Sequence, residues 1–457
     1  MYHLARYGLA GMMERPEVMD QVTGEALANI LMNQPDSHCS SYYAATSNEN
    51  IQYPPLHAEV CADVCVIGAG FTGIATALTL AERGYSVAVL EQNKVGWGAS
   101  GRSGGQMIGG VPGEASLKKH WGDTHADTLF ELGYRGHDII ARRVQQYDIE
   151  CDLRYGYIDV ALKPRQLEQQ KRWHEQLCQR GMEESLRLVA ADELPELLGT
   201  DRYLGGLINN RNGHLHPLNL CLGEARAAVE LGVSIYEGTE VTDIEHGSRP
   251  IVATRQGRVR ADYVVLAGNA YHQLEPARLS GLVFPADTFI LATEPLTEAE
   301  VAQINPLDLA VCDQNQVLDY FRLSADRRLL FGGGCNFSGR EPRSIKSAMV
   351  PRLRRVYPQL ANKRIDYAWG GKTGVVVNRA PLLGSIGENI FYAQGYSGHG
   401  VSLSHACGEV MADAVAGTFE RMNIFSQVPH HKIPFGPAFG GYAVALGMLY
   451  FRLLDLF

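Results

Sequence analysis

Hydrophobic residues near the start of the chain follow two different periodicities in succession. In residues 63–67, Asp63 is followed by the short apolar run Val64 to Ile67, which is typical of a buried strand. After this run, apolar side chains recur at helical spacing at Ile74, Ala77, Leu78 and Ala81. A second apolar run covers residues 86–90. The pattern therefore predicts a strand, a helix and a strand in direct succession, which is the βαβ unit of a parallel sheet.

Three glycines stand between the first strand and the helix. Gly68 permits a tight turn, Gly70 lets the main chain approach a pyrophosphate, and Gly73 lets the helix pack on the strand. The helix N-terminus directs N–H groups and a positive dipole end at phosphates. Glu91 ends the second strand, where a carboxylate accepts hydrogen bonds from a ribose diol. This order predicts a dinucleotide site; the alternative is a glycine-rich turn without a nucleotide.

A second glycine-rich loop, residues 96–106, directly follows the acidic residue and indicates which dinucleotide is bound. A nicotinamide enzyme usually continues here into another helix and strand. Flavoproteins of one large class instead run such a loop past the pyrophosphate and up to the isoalloxazine ring. The sequence therefore favours FAD as the cofactor, and a nicotinamide-dependent dehydrogenase stays as an alternative.

Further motifs carry a resemblance to a known family. They are Ser41-Tyr42-Tyr43-Ala44-Ala45, Gly98-Ala99-Ser100-Gly101-Arg102, Gly213-His214-Leu215-His216-Pro217, Ala267-Gly268-Asn269-Ala270-Tyr271, Leu318-Asp319-Tyr320-Phe321-Arg322 and Gly395-Tyr396-Ser397-Gly398-His399-Gly400. From about residue 40 onward the chain resembles the FAD-dependent glycine oxidase, sarcosine oxidase and D-amino-acid oxidase superfamily, and within it the γ-glutamylputrescine oxidoreductase branch. The resemblance implies an α/β Rossmann-type FAD-binding domain interleaved with an antiparallel-sheet α+β substrate domain.

The order of the segments predicts how the two domains interleave. Residues 1–59 form an N-terminal extension and lead-in, with a helix within 23–31 or, alternatively, a true start at Met32. Residues 60–150, 213–272 and 369–430 build the FAD-binding domain, 151–212 and 273–368 build the substrate domain, and 431–457 form an apolar tail. A three-strand excursion is predicted at residues 241–244, 251–254 and 259–263, with a separate strand at 263–267.

The predicted cofactor-binding residues come from both glycine loops, the acidic residue and the later strand ends. They are Gly68, Gly70, Phe71, Thr72, Gly73, Glu91, Gln92, Gly98, Ala99, Ser100, Arg102, Gly104, Gly105, Gln106, Val241, Gly268, Gly395, Ser397, Gly398, His399 and Gly400. A helix is predicted to follow the last turn at residues 401–416, and its N-terminus faces the pyrimidine end of the flavin in the resembling family.

The resemblance implies oxidation of a C–N bond of a small amine or amino acid to an imine, with hydride transfer to flavin N5 and hydrolysis of the imine. The sarcosine oxidase branch continues Gly-His-Gly-Phe-Lys, and its Lys contacts the substrate carboxylate; this chain has Ser402 there. Arg322, beside Tyr320, is the candidate replacement cation, with a surface ion pair as the alternative. Tyr320 and His399 are further candidate catalytic residues. The candidate substrates are γ-glutamylputrescine and L-pipecolate.

Composition narrows the remaining choices of protein class and cellular location. The chain has 457 residues, 46% hydrophobic and 20% charged, which is typical of a globular enzyme with more than one domain. Its net charge of −9 disfavours nucleic-acid binding, and with it the alternative of a tRNA-modifying flavoprotein. A protein that uses FAD only structurally is the other alternative, and it is disfavoured because the glycine loops approach the reactive ring as well as the phosphates. Scattered cysteines predict a cytoplasmic location, and no metal-ligand pattern is present. The electron acceptor is either oxygen or a quinone, the latter if the apolar tail contacts a membrane surface.

Overall fold

The computed structural model describes residues 37–336 and 342–432. The helix predicted within residues 23–31, the alternative start at Met32 and the apolar tail after residue 432 lie outside these ranges. The helices in chain order are α1 (Tyr42–Ala45), α2 (Phe71–Glu82), α3 (Glu114–Trp121), α4 (Ala126–Gln146), α5 (Pro164–Cys178), α6 (Leu194–Leu198), α7 (Pro217–Glu230), α8 (Pro276–Leu279), α9 (Glu298–Ile304), α10 (Ile345–Val356), α11 (Gly400–Val415) and α12 (Glu420–Ser426).

The strands fall into two large sheets and one small one. In chain order they are β1 (Glu59–Ile67), β2 (Val87–Leu90), β3 (Gln106–Met107), β4 (Arg154–Tyr155), β5 (Tyr157–Ala161), β6 (Leu186–Ala190), β7 (Gly205–Asn209), β8 (Gly213–His214), β9 (Ser234–Tyr236), β10 (Val241–Glu245), β11 (Ile251–Thr254), β12 (Arg258–Leu266), β13 (Phe284–Thr293), β14 (Ala310–Asp313), β15 (Asp319–Leu323), β16 (Leu329–Asn336), β17 (Ile365–Val375), β18 (Leu382–Ile386) and β19 (Ile390–Gln394).

The first sheet has the strand order β10-β11-β12-β1-β2-β9, with β19 also paired to β12 and β18 paired to β19. The pairs β19/β12, β12/β1, β1/β2 and β2/β9 are all parallel. The prediction of two strands at residues 259–263 and 263–267 is wrong. They are the single strand β12, which pairs with β1 along its whole length, with β11 at its start and with β19 at its end.

Helix α2 lies at the centre of the FAD-binding domain. Its first ten residues are buried, because α11 packs against one side and α7 against another. A helix that is apolar nearly all round needs such burial on several faces. Contact with α11 is close: a Cβ on Gly408 would lie 2.8 Å from the Cβ of Ala75. The predicted βαβ unit is thereby fixed in the core, with the glycine turn at one edge of the sheet.

The second sheet has the order β17-β13-β16-β15-β14-β5-β7-β6. Its pairs are antiparallel except β14/β5, which is parallel. It combines strands from both segments predicted for the substrate domain, residues 151–212 and 273–368. Strand β17 continues to Val375 and so crosses the expected boundary between residues 368 and 369.

Alternation along the strands gives the second sheet two different faces. Phe321 and Leu323 lie on one face, in a core shared with α6 and α10. Tyr320 lies on the other face and packs against residues of the FAD-binding domain. The second sheet therefore covers the first domain with one face only, and the functional side chains are expected there. None of the helices that the structure describes is long and apolar enough to cross a membrane.

Candidate active site

The first glycine turn has no space for side chains. Gly68 has φ +104°, a conformation that favours glycine, and its N–H donates to the carbonyl of Leu90 at 2.8 Å. A Cβ on Gly73 would overlap the carbonyl oxygen of Gly68. The turn and the first helical residues are thus packed directly against each other. This leaves the N–H groups at the start of α2 facing the edge of the sheet, where a phosphate fits.

The start of α2 is capped from the second glycine loop. Gly70 occupies the N-cap position and has no side chain to accept a hydrogen bond. Instead, the Phe71 N–H donates to Ser100 Oγ at 2.9 Å. The two loops predicted to bind the cofactor therefore contact each other directly. The contact uses a main-chain N–H at the N-terminus of α2, which is the helix end predicted to face the phosphates.

Glu91 is held rigidly at the end of β2. Its carboxylate accepts hydrogen bonds from the N–H groups of Ala69 and Asn93, both at 2.8 Å. Burial raises the pKa of Glu91, and the neighbouring charge of Glu237 adds to this, while the two N–H groups oppose it. The carboxylate therefore stands beside the glycine turn with its orientation fixed by the main chain. That it binds a ribose stays a prediction.

A long cleft begins at Glu91 and extends between the two domains to the start of α11. It encloses about 1480 Å³ of empty space, counted out to its open mouth. It brings together thirteen of the predicted cofactor-binding residues: Gly68, Gly70, Phe71, Thr72, Glu91, Gln92, Gly98, Ala99, Ser100, Val241, Gly268, Gly398 and Gly400.

Other predicted residues do not line this cleft: Gly73, Arg102, Gly104, Gly105, Gln106, Gly395, Ser397 and His399. Gln106 joins the second loop to the second sheet, because its side-chain amide donates to the carbonyl of Val311 at 3.1 Å. The Ser397 hydroxyl accepts from the N–H of Val376 at 3.3 Å. These two side chains support the loops, and any contact that they make with the cofactor stays a prediction.

Arg102 orients the second loop through contacts of both its side chain and its main chain. Its guanidinium lies 4.2 Å from the centre of the Trp97 ring, and Nε donates to the Trp97 carbonyl at 2.8 Å. Its own carbonyl accepts from the indole N–H of Trp369 in β17, at 3.0 Å. The loop is thereby attached to the second sheet as well as to α2.

Several further residues line the cleft that were not predicted from the sequence. They include Trp97, Ser103, Thr239, Asn269, Tyr271, Thr373, Tyr396 and Ser404. Asn269 has φ +45°, and its side-chain oxygen accepts from the N–H of Gly395 at 3.0 Å. Its position directly after Gly268, a predicted cofactor-binding residue, was the sequence signal that could have identified Asn269. Thr373 is brought in by the pairing of β17 with β13, which no local pattern reveals.

Arg322 is not placed as the substrate cation that sequence analysis expects. Its side chain is buried, and its Nε and Nη2 donate to the carbonyls of Gly104 and Leu215, both at 2.7 Å. It also donates from Nη1 to the Leu323 carbonyl and from Nη2 to the Tyr43 hydroxyl. Because main-chain carbonyls occupy the guanidinium, we assign Arg322 to holding the second glycine loop on the sheet. Tyr320, on the same strand, packs against Gly104.

Replacing Arg322 with lysine distinguishes these two roles. Lysine cannot reach both carbonyls at once, so we expect the free energy of unfolding to fall by about 2–3 kcal/mol. The KM for substrate should stay within about 3-fold of wild type, a change below 1 kcal/mol. Urea denaturation and steady-state kinetics measure the two quantities. Arg327→Lys, at an exposed arginine paired with Glu298, is the control. A large rise in KM with unchanged stability would restore the substrate role.

His399 directly precedes α11 and is neutral at neutral pH. Burial, assisted by the charge of Arg379, lowers the pKa of His399 to about 4. Its Nδ1 is buried without a hydrogen-bond partner. A neutral ring at this position leaves the positive end of the α11 dipole as the local source of electrostatic stabilisation. The predicted catalytic role of His399 stays a prediction.

A fully buried group of charged residues lies behind the first turn of α11. Glu224 in α7 accepts from Arg143 Nη1 and from His405 Nε2, both at 3.0 Å. The other ring nitrogen of His405 lies 2.6 Å from the Val401 carbonyl, so both nitrogens face acceptors. Val401 itself lines the cleft. The group thus fixes the start of α11 against α7 and α4.

FAD fits the arrangement of donors. The N-termini of α2 and α11 open onto the same cleft at separate points, so one can face the phosphates and the other an electron-rich ring. At Gly73 and Gly68 any Cβ would occupy the space that the main chain needs. Within residues 37–336 and 342–432, no three His, Cys, Asp or Glu side chains are grouped to hold a metal ion.

A parallel sheet with a glycine cradle, joined to an antiparallel domain across one cleft, defines a two-domain dinucleotide-binding oxidoreductase. Comparison with protein families agrees. The family model described as FAD dependent oxidoreductase (DAO) matches residues 63–414. The chain belongs to this family, and its cofactor is FAD.

Two relatives cover nearly the whole chain. Gamma-glutamylputrescine oxidoreductase from Escherichia coli (strain K12) is 39% identical over 425 residues, which are 92% of this chain and 98% of the relative. A probable oxidoreductase, OrdL, from Haemophilus influenzae is 40% identical over 428 residues, 92% of this chain and 97% of the relative. Among solved structures, glycine oxidase from Geobacillus kaustophilus has a TM-score of 0.66 at 23% identity, covering 79% of this chain and 95% of that one. The expected fold is confirmed.

Proposed function

We propose that this enzyme oxidises the terminal primary amine of γ-glutamylputrescine to an imine, which water hydrolyses to the aldehyde and ammonia. The observation that carries the proposal is the 39% identity to a gamma-glutamylputrescine oxidoreductase over 98% of that protein. A second observation supports it. Ser402, at the position where the sarcosine oxidase branch has a lysine, is buried and bonds to His137 Nδ1 at 2.8 Å. A substrate without a carboxylate next to its reacting amine needs no cation there.

The chain's own residues position the reactants and stabilise charge. Bound FAD supplies a two-electron acceptor at its N5. The first residues of α11, Gly400 and Val401, line the cleft and direct N–H groups toward the place where negative charge develops. The sheet face that carries Tyr320 packs against the FAD-binding domain, and Tyr320 itself lies against Gly104 of the second glycine loop. Because the reacting amine must be uncharged to donate hydride, the residues around it should be apolar or neutral.

A panel of amines tests the proposal. Purified holoenzyme is mixed without oxygen with γ-glutamylputrescine, putrescine, L-pipecolate, sarcosine or a D-amino acid, and loss of the oxidised flavin absorbance is followed. We expect γ-glutamylputrescine to reduce the flavin at least 10-fold faster than the others, since only it matches the relative's named substrate. Faster reduction by L-pipecolate would contradict the proposal and indicate that the cyclic amino acid is the substrate.

The electron acceptor is tested separately. We expect one equivalent of hydrogen peroxide for each amine oxidised under air if oxygen is the acceptor. If a quinone is the acceptor, a soluble quinone analogue should support turnover and peroxide should be absent. The apolar tail, through which membrane contact is proposed, lies outside the described residues.

A further inference from the structure

Asp159 places a carboxylate on the face of the second sheet that covers the FAD-binding domain. Tyr157 and Asp159 lie two residues apart in β5 and therefore point to the same side, and the Tyr157 hydroxyl donates to Asp159 Oδ1 at 3.1 Å. Tyr157 packs there with Cys312 and with Ile108, which follows the second glycine loop. The carboxylate is thus directed toward the interior of the enzyme and away from the outer helices.

Among the residues that the structure describes, no cation neutralises this carboxylate. Within residues 37–336 and 342–432, no Lys, Arg or His nitrogen lies within 4.0 Å of it. Burial raises the pKa of Asp159 to about 7, and only the Tyr157 hydroxyl opposes this. The side chain is nevertheless partly accessible to solvent, as are Ile108 and Tyr320 on the same face. An unpaired carboxylate in such a place costs folding free energy, which is typical of a group kept for binding.

The position of Asp159 relative to the second glycine loop follows from strand register. Asp159 is opposite Cys312, and Cys312 is opposite Tyr320, which packs on Gly104. Two strand spacings, about 10 Å, therefore separate Asp159 from Tyr320 along the sheet. Asp159 thus lies to one side of the second glycine loop, at a distance that a chain of several carbons spans.

We propose that Asp159 binds a second, non-reacting ammonium group of the substrate, several bonds away from the amine that is oxidised. The proposal rests on the proposed function and names its specificity-determining residue. A carboxylate next to the reacting amine would favour the protonated form and hinder hydride transfer. At the far end of the substrate a carboxylate that favours the protonated amine is useful, because the ammonium there stays charged and binds to it. In γ-glutamylputrescine this group is the α-ammonium; in a free diamine it is the second amine.

The test uses Asp159→Asn, which keeps the shape and the bond from Tyr157 but removes the charge. The holoenzyme is assayed with γ-glutamylputrescine, its α-N-acetyl derivative, putrescine and butylamine. We expect KM for γ-glutamylputrescine to rise roughly 10- to 100-fold, the value of a charge-assisted hydrogen bond, with kcat within about 2-fold. KM for the acetylated substrate and for butylamine should not change. If KM rises for putrescine as well, the site binds any distal ammonium. If KM rises for γ-glutamylputrescine alone, the site binds the ammonium of the glutamyl group.

Asp313→Asn is the matched control. Asp313 follows Cys312 in β14 and so lies on the opposite face, and burial, with the charge of Asp319, raises its pKa also to about 7. This variant should bind all four amines like wild type. A structural role for Asp159 predicts a lower melting temperature with the same KM pattern as wild type, and that result overturns the proposal. So does an equal rise in KM for charged and acetylated substrates.

Binding without turnover separates this proposal from the proposed function. γ-Glutamylbutylamide carries the α-ammonium but lacks the terminal primary amine that is oxidised, and its binding is followed through the flavin spectrum and by thermal shift. Wild type should bind it, and Asp159→Asn should bind it roughly 10- to 100-fold more weakly. If no amine reduces the wild-type flavin, the proposed function fails while this comparison still decides the role of Asp159. Equal affinity of wild type and Asp159→Asn for γ-glutamylbutylamide would overturn the proposed role of Asp159.

Discussion

Replacing Gly73 with alanine is expected to yield protein that purifies almost free of FAD. The new Cβ would overlap the carbonyl oxygen of Gly68, which belongs to the main chain of the turn itself. Either α2 or the turn must move, and overpacking of this kind costs about 3 kcal/mol. If the cost appears in binding, FAD affinity falls roughly 100-fold. The ratio of flavin to protein absorbance, followed by FAD titration, measures the effect.

Gly247→Ala is the matched control for this change. Gly247 is exposed, has no neighbour within 4 Å of a new Cβ and does not have a positive φ. This variant should retain the FAD content and the melting temperature of wild type. If Gly73→Ala also retained full FAD, the glycine cradle would not be the phosphate-binding element. Far-UV circular dichroism of both variants shows whether the loss is one of cofactor or of fold.

Replacing Glu224 with glutamine is expected to lower the free energy of unfolding by about 3–5 kcal/mol, because it removes the buried carboxylate that pairs with Arg143 and accepts a hydrogen bond from His405. Arg143, Glu224 and His405 have no exposed side-chain surface. Urea denaturation measures the loss. Glu230→Gln, in the same helix, is the control: its i,i+4 pair with Arg226 is exposed, and its loss should cost less than about 0.5 kcal/mol. A similar small loss at Glu224 would show that the buried group does not stabilise the fold.

The same comparison has a pH dependence with a definite sign. Burial alone would raise the pKa of Glu224, but His405 and Arg143 outweigh it and lower the pKa below 4.5. The folded protein therefore favours the ionised form, and this contribution is present above pH 4.5 and lost as the pH falls through the lowered pKa. The stability difference between wild type and Glu224→Gln should narrow as the pH falls below 4.5. Widening on acidification would contradict the assignment.

Local sequence pattern predicted the elements that local forces determine. The turn at Gly68, helix α2 and the carboxylate at Glu91 follow from residues within one short stretch, and all of them line or frame the cleft. The end of the last glycine turn and the start of α11 were likewise predicted to within one residue. In these segments, propensity, hydrophobic period and glycine geometry all favour the same structure.

Features that depend on strand pairing could not be predicted in this way. Arg322 has the same local sequence whether it faces a substrate or the carbonyls of Gly104 and Leu215, and only the docking of β15 on the second loop decides. Asp159 is a single acid within a short apolar strand. Its importance emerges only when the register places Cys312 and Tyr320 beside it. Long-range pairing of this kind leaves no periodic signal in one sequence.

The central claim is that bound FAD takes two electrons from the terminal amine of γ-glutamylputrescine. The most direct measurement is an oxygen-free titration of the holoenzyme with this compound, with flavin absorbance and product mass recorded together. We expect one equivalent to reduce one FAD and to yield one equivalent each of ammonia and the aldehyde formed at the putrescine end. A flavin that stays oxidised in excess γ-glutamylputrescine, or is reduced while the amine remains intact, would contradict it.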